Sequence, residues 1–253
     1  MNTENTYIVG DKFVEFAKHK NVMTIDSMSR YISQIDKTEQ SGNIHNLIIG
    51  QGVNLNQVES LQDIIKKKKL KNIRFLNRQL LATRENKMYV HKHLDENVLI
   101  TIPSFIDVLN NVYQSALILD ERCAEMSDHV TGQHLQGMLL TEAARQMMTA
   151  VTERYLLSNQ DRFNFYFALS KIAPTFTKFA FPIEVSILYK QIKLDIVPSR
   201  CLKSTAQISF TQKNHELCTV NIEMLALSKD VLKKIEEMEA IKLLNPANLE
   251  VYA

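Results

Sequence analysis

Along the chain, apolar residues fall first into short runs, then into one long helical pattern, then into alternating stretches, and each texture predicts different elements. Tyr7-Ile8-Val9-Gly10 and Asn46-Leu47-Ile48-Ile49-Gly50 are compact apolar runs closed by glycine, which suits buried strands. Asn54 and Gln57 stand where the two members of a capping box would, opening a helix that runs to about Leu70, and Asn72-Ile73-Arg74-Phe75-Leu76 reads as a further strand. Residues 1–80 are therefore expected to be a small α/β unit of unknown role. A polar, charged stretch from Arg78 to Lys87 separates it from a region with a different pattern. There, strands are expected at Met88–His93, Asn97–Ile102 and Val112–Leu119, one helix at Gln136–Leu157, and strands at Phe163–Leu169, Ile183–Leu194, Ser204–Thr211 and Glu216–Leu227. Gln212-Lys213-Asn214-His215 joins the last two as a hairpin. Residues 228–253 close the chain with a charged amphipathic helix near Lys229–Leu244 and a tail. One long helix followed by antiparallel strands predicts an α+β fold in which a curved sheet wraps a central helix.

Composition narrows the function classes. Thirty Lys+Arg against 28 Asp+Glu leave a net charge of +2, too small to imply nucleic acid or an anionic membrane as the main partner. The three cysteines are widely spaced without a Cys-x-x-Cys pair, so neither a disulfide framework nor a zinc site is indicated, and a reducing cytoplasm fits. Charged residues interrupt every apolar run of the first thirty positions, and no apolar stretch approaches the ~18–20 residues of a membrane span. A soluble, cytoplasmic protein is expected. Gly50-Gln51-Gly52 invites comparison with a phosphate-binding turn, but a dinucleotide fingerprint would place a third glycine where Leu55 stands. A plain structural turn is the expectation. The run Lys66-Lys67-Lys68-Lys69 falls at the end of its helix, where cations oppose the negative end of the macrodipole and extend into water.

The central helix carries the candidate chemistry. Leu139, Leu140, Ala143, Ala144, Met147, Met148 and Val151 spread apolar surface around most of it, leaving Glu142, Arg145, Gln146 and Thr149 at i, i+3, i+4 and i+7 on one side. Periodicity alone allows two readings: an exposed stripe with a weak ion pair, or an ionisable pair in a partly desolvated cleft. His91 and His93 would share one face of a strand but lack a third ligand, and a metal site from His129, His134 and Glu142 has no i,i+4 ligand pair behind it. No metal and no cofactor are expected. Nothing near Cys123 is arranged to activate it as a nucleophile.

The segment before and into that helix reads Asp128-His129-Val130-Thr131-Gly132-Gln133-His134-Leu135-Gln136-Gly137-Met138-Leu139-Leu140-Thr141-Glu142-Ala143-Ala144-Arg145-Gln146. It closely resembles the signature of the A-factor biosynthesis (AfsA-type) hotdog family: an Asp-His-x-x-Gly-x-His loop, a Gly-Met-Leu-Leu turn and a Glu-Ala-Ala-Arg-Gln helix. Tyr89-Val90-His91-Lys92 and Asn97-Val98-Leu99-Ile100-Thr101 look like the strand pair that opens that domain, so the resemblance spans roughly residues 87–227. Familiar members carry two hotdog repeats, whereas here one repeat follows an α/β segment. The resemblance therefore implies a homodimer that supplies the second half of the site.

It also implies chemistry on a β-ketoacyl chain held as a thioester on acyl carrier protein or coenzyme A. The chain would pass to a hydroxyl of a small phosphorylated acceptor such as dihydroxyacetone phosphate, in γ-butyrolactone signal or secondary-metabolite biosynthesis. On that reading Glu142, its pKa raised by apolar surroundings, is the general base, and Arg145 neutralises the phosphate or holds Glu142 ionised. Backbone donors near Gly137 and Met138 polarise the thioester carbonyl, and Gln146 completes the substrate contacts. His129 opens a rival route in which it removes an α-proton from a β-hydroxyacyl thioester while Glu142 protonates the leaving hydroxyl. That would be a dehydratase, or a thioesterase, of the wider hotdog group. A non-catalytic acyl-binding or scaffold module is the alternative from another class.

Overall fold

The glycine-closed apolar runs at the start of the chain become the inner strands of a parallel sheet. The computed structural model describes residues 3–35, 44–126 and 131–244. Strands β1 (Thr3–Val9), β2 (Val22–Thr24), β3 (Ile44–Ile49) and β4 (Ile73–Phe75) lie in the order β2-β1-β3-β4, all parallel. Helix α1 (Ile25–Gln34) turns Ile25, Met28 and Ile32 into the core, and its first turn is capped by the Thr24 hydroxyl, which accepts from the Ser27 N–H. Helix α2 (Leu55–Lys68) opens on the expected capping box between Asn54 and Gln57 and buries Val58, Leu61 and Ile65. A short helix α3 (Gln79–Ala82) leads out of the unit.

In such sheets a ligand crevice opens at the carboxyl ends of the strands where the chain order reverses, here between β1 and β3. Gly10 and Gly50-Gln51-Gly52 lie there, yet the place is filled by backbone of the second region. The Gln51 N–H donates to Pro182 O at 2.9 Å and the Gly52 N–H to Leu119 O at 3.0 Å. The Gln51 amide, 2% exposed, donates to Leu117 O and accepts from the Leu119 N–H. A Cβ on Gly50 would sit 2.3 Å from Pro182 O, and Gly52 holds φ +81°. The glycines admit a close backbone approach from within the chain. We expect Gly50→Ala to destabilise the protein by ~1–3 kcal/mol in urea unfolding. Calorimetry should detect no micromolar binding of NAD or ATP.

The second region is an antiparallel sheet in the order β5-β6-β8-β9-β10-β7. Its strands are β5 (Ser104–Asp107), β6 (Val112–Ala116), β7 (Phe165–Phe176), β8 (Ser186–Val197), β9 (Cys201–Gln212) and β10 (His215–Ser228). The hairpin between β9 and β10 turns on Lys213 and Asn214, at φ 47° and 65°, both central residues having the positive φ that a tight hairpin requires. Helix α4 (Gly137–Val151) lies against β7, β9 and β10, and Ala143, Ala144, Met147, Met148, Ala150 and Val151 are all at 0% exposure. A curved antiparallel sheet wrapped around one buried helix is the hotdog arrangement. A π-helical turn, Thr152–Leu156, extends α4, and β10 runs directly into helix α5 (Lys229–Leu244), which buries none of its residues. No described helix is long and apolar enough to cross a membrane.

Met88–His93 is not the expected strand. It forms turns, with His91 at φ 52°, and Asn97–Ile102 holds only isolated bridges at Ile100 and Thr101. This stretch is a strap fastened across the helix by ionic contacts. Arg84 donates to Val98 O and Ile118 O, and the buried Glu85 carboxylate pairs with Arg154, which also stacks on Tyr89. His91 meets the fully buried Glu153 carboxylate at 2.9 Å, and Glu153 also accepts from the Phe163 N–H at 3.0 Å. Leaving Glu85 or Glu153 buried without these partners would cost several kcal/mol, so the strap cannot lift cheaply.

Candidate functional site

Among the described residues, four hydrogen-bond contacts converge on the Glu142 carboxylate from three side chains. Arg145, one turn along α4, grips it bidentately: Nε donates to Oε2 at 2.7 Å and Nη2 to Oε1 at 2.8 Å. Lys92 Nζ reaches Oε1 from the strap at 2.8 Å, and Gln146 Nε2 donates to Oε1 at 3.0 Å. Lys92 also meets Glu125 at 2.8 Å, and the other Glu125 oxygen accepts the Cys123 thiol at 2.9 Å. The cluster is partly shielded, with side-chain exposures of 18% for Glu142 and Lys92 and 28% for Arg145.

These contacts reverse the expected electrostatics. Burial by itself would raise the Glu142 pKa, but the Arg145 fork, its charge, and the donors from Lys92 and Gln146 outweigh it and bring the value down to about 2. Glu142 is thus a firmly ionised carboxylate in this state, not the high-pKa base expected from its apolar surroundings. Burial disfavours the Lys92 ammonium, yet its bonds to Glu125 and Glu142 leave its pKa raised. Glu125 is lowered although burial opposes this, because Cys123 and Lys92 donate to it. The Cys123 thiol is pushed up to about 12 by burial first and by Glu125 second, so it is inert as a nucleophile near neutral pH.

Gln146 anchors rather than projects. It is fully buried, its carbonyl accepting from the Leu99 N–H at 2.8 Å and its amide donating to Asn97 O at 2.9 Å as well as to Glu142. With both amide hydrogens engaged, it fixes the carboxylate against the 97–99 segment. Thr149 is likewise buried, its hydroxyl donating to Arg145 O. The stripe read from periodicity is therefore half fastening, at Gln146 and Thr149, and half partly open, at Glu142 and Arg145; Met138, one turn before Glu142, is 68% exposed.

Gly137 begins α4 with no side-chain cap at its N-terminus, and a Cβ there would meet the Phe176 ring at 2.9 Å. An apolar groove of about 620 Å3 runs past this point, lined by Leu135, Gly137, Leu140, Phe176, Phe179 and Ala180 with His134 and Lys178 among them. Gly137 and Leu140 share the helix flank opposite Glu142, so the groove and the charged cluster lie on two sides of one helix start. His134 contacts the Phe179 ring and Thr131 Oγ1. His129 lies outside the described residues. Among the described residues no group of His, Cys, Asp and Glu has the arrangement of a metal site.

Lys92 and Glu125 were not among the residues singled out by sequence. Lys92 stands in the Tyr89-Val90-His91-Lys92 stretch, but as a strand that stretch drew attention to its histidines. Only the turn at His91 brings Lys92 onto α4.

Residues 77–228 match the family model described as the A-factor biosynthesis hotdog domain. No curated protein matches the chain in sequence. Among solved structures, the chain is similar to a mutant thioesterase from Pseudomonas aeruginosa, at 14% identity over 59% of this chain and 92% of that one, with a TM-score of 0.39. A thioesterase from Haemophilus influenzae shows 12% identity over 60% and 89% of the two chains, with a TM-score of 0.38. A hypothetical thioesterase with coenzyme A from Streptococcus pneumoniae shows 8% over 50% and 89%, with a TM-score of 0.34. Likeness this remote carries no argument about substrate.

Proposed function

Since the chain belongs to the A-factor biosynthesis hotdog family, we propose that it transfers a β-ketoacyl group from an acyl carrier protein or coenzyme A thioester to a hydroxyl of a small phosphorylated acceptor, dihydroxyacetone phosphate being the test case. The observation that carries this reading is the Glu142 carboxylate gripped by Arg145 and Lys92 on the partly open flank of a buried helix. A thioesterase needs only water as acceptor, whereas two cations beside a carboxylate suit an acceptor that carries its own anion.

In the transfer, the acceptor hydroxyl gives its proton to Glu142 as its oxygen bonds to the thioester carbonyl carbon. The carbon–sulfur bond then breaks, and the thiolate leaves with the proton Glu142 holds. The products are an ester and a free thiol. The uncapped start of α4 offers N–H groups and positive potential to the carbonyl oxygen that gains charge, and the adjoining apolar groove has the character an acyl chain requires. The dehydratase route asks Glu142 to arrive protonated, which Arg145 and Lys92 oppose.

Incubation of the protein with acyl-carrier thioesters of several lengths, with and without dihydroxyacetone phosphate, should yield an ester by mass spectrometry only when the acceptor is present. Release of free acid at the same rate in both mixtures would overturn the reading in favour of a thioesterase.

We expect the active species to be a homodimer. Strand β7 is twelve residues long and lies at the sheet edge with Tyr166, Leu169 and Phe176 exposed, so unpaired backbone and apolar side chains face outward together. Light scattering at micromolar concentration should give twice the 29.1 kDa chain mass. A monomer there would count against the two-copy site.

A further inference from the structure

We propose that Lys92 and Arg145 form an exchange clamp: the anionic head of the acceptor takes these two cations from Glu142, and the released carboxylate becomes the group that accepts the hydroxyl proton. This rests on the transfer reading above and deepens it, because it assigns a role to Lys92 and makes acceptor binding the event that arms the base.

The geometry supplies the reasons. Glu142 Oε1 accepts from Arg145, Lys92 and Gln146 together, and Oε2 from Arg145. A carboxylate so fully engaged is a poor proton acceptor. Of the three donors, only the two cations can exchange, because Gln146 is buried and bonded to Asn97 and Leu99 as well. Both cations are partly exposed, and a phosphate presents more charge and more acceptor oxygens to the Arg145 fork than a carboxylate does. Lys92 would not be stranded by the exchange, since Glu125 holds it at 2.8 Å from the other side.

Charge balance gives the exchange its direction. Among the described residues of the cluster, Lys92, Arg145, Glu125 and Glu142 sum to neutrality, and the Cys123 thiol behind Glu125 carries no charge near neutral pH. An arriving anion therefore faces two carboxylates, and the arrangement relaxes when one of them binds a proton. Glu142 is the candidate: with the cations engaged elsewhere, the burial that already acts on it favours its neutral form. Binding of the acceptor's anion thus raises the proton affinity of Glu142, which near neutral pH is still ionised and takes its proton from the acceptor hydroxyl.

The test reads the carboxylate directly. In protein carrying 13C at glutamate Cδ, the Glu142 resonance is assigned by its loss in Glu142→Gln and followed from pH 1.5 to 7, a range that includes its value of about 2, with and without saturating inorganic phosphate. Free protein should show Glu142 ionised through most of this range. Phosphate should move its midpoint up by about one pH unit or more. Lys92→Met should raise the midpoint without phosphate, shrink the phosphate-induced movement and weaken phosphate binding about tenfold or more, and Lys92→Arg should restore the affinity. A midpoint unmoved by phosphate, absence of phosphate binding at millimolar concentration, or wild-type phosphate affinity in Lys92→Met would each overturn the clamp. The two proposals fail separately. Phosphate-dependent movement with no ester product would remove the transfer reading and keep the clamp, whereas ester formation with an unmoved midpoint would do the reverse.

Discussion

Glu142→Gln is expected to lower turnover by ~10²–10⁴-fold, the usual worth of a positioned proton acceptor, because the amide keeps the shape and loses the titratable oxygen. It should also lower stability, which a purely exposed residue would not do. The substitution leaves Arg145 and Lys92 facing a neutral group in a partly shielded cluster, with Lys92 still held by Glu125. The pH dependence isolates this contribution. Glu142 falls from an ordinary value of 4.5 to about 2 in the folded protein, and at about 1.4 kcal/mol per tenfold the linkage is worth roughly 3 kcal/mol. Because the folded value is the lower one, the contribution is complete above the unfolded pKa and is lost as pH falls from about 4.5 toward 2. Urea midpoints measured across that window should fall steeply for the wild type and less steeply for Glu142→Gln. Equal slopes for the two proteins would mean that Glu142 is not held as an anion, and the cluster would lose its assigned electrostatics.

What the sequence disclosed was local. The capping box of Asn54 and Gln57 needs only residues three apart, and the hairpin at Lys213 and Asn214 needs only two adjacent positions tolerant of positive φ. The Glu142–Arg145 pair was legible for the same reason, since i,i+3 on a helix places side chains together wherever the helix lies. What stayed hidden was set by contacts distant in sequence. Met88–His93 has the apolar alternation of a strand, but Glu85 and His91 are claimed by Arg154 and Glu153 from the far end of α4, and those pairs bend the segment into turns. Lys92 reaches Glu142 across fifty positions, so this second cation lay out of view, and with Arg145 alone in sight the apolar neighbours of Glu142 suggested a raised pKa. Strand β7 runs to Phe176, beyond the expected Leu169, because its second half is a mostly exposed edge with no alternation to read, and it tolerates Pro174 for that same edge position. Helix α1 went unseen because its buried face is three residues long.

Arg145→Ala should raise the KM for the phosphorylated acceptor by ~10–100-fold while changing the KM for the acyl thioester little. A charge-assisted contact to the phosphate is worth ~1.5–3 kcal/mol, and a contact present in both ground and transition states appears in KM. Its loss also frees one side of Glu142, whose pKa should rise, because the Arg145 fork leads the forces that oppose burial there. The kcat/KM profile of Arg145→Ala, which reports the free enzyme, should therefore fall away on the acid side at a higher pH than that of the wild type. His129→Ala supplies the contrast. Under transfer to a phosphorylated acceptor, His129 handles no proton, so its removal should change kcat by only a few fold. Under dehydration it is the base, and its removal should match the ~10²–10⁴-fold loss of Glu142→Gln while Arg145→Ala remains nearly silent. Steady-state kinetics of the three variants with a β-ketoacyl and a β-hydroxyacyl thioester separate the outcomes. A large acceptor KM effect confined to Arg145→Ala supports transfer, and equal losses in His129→Ala and Glu142→Gln replace it with dehydration. Wild-type rates in all three would leave the charged cluster as a fastening for the strap in a module that binds acyl chains without reacting them.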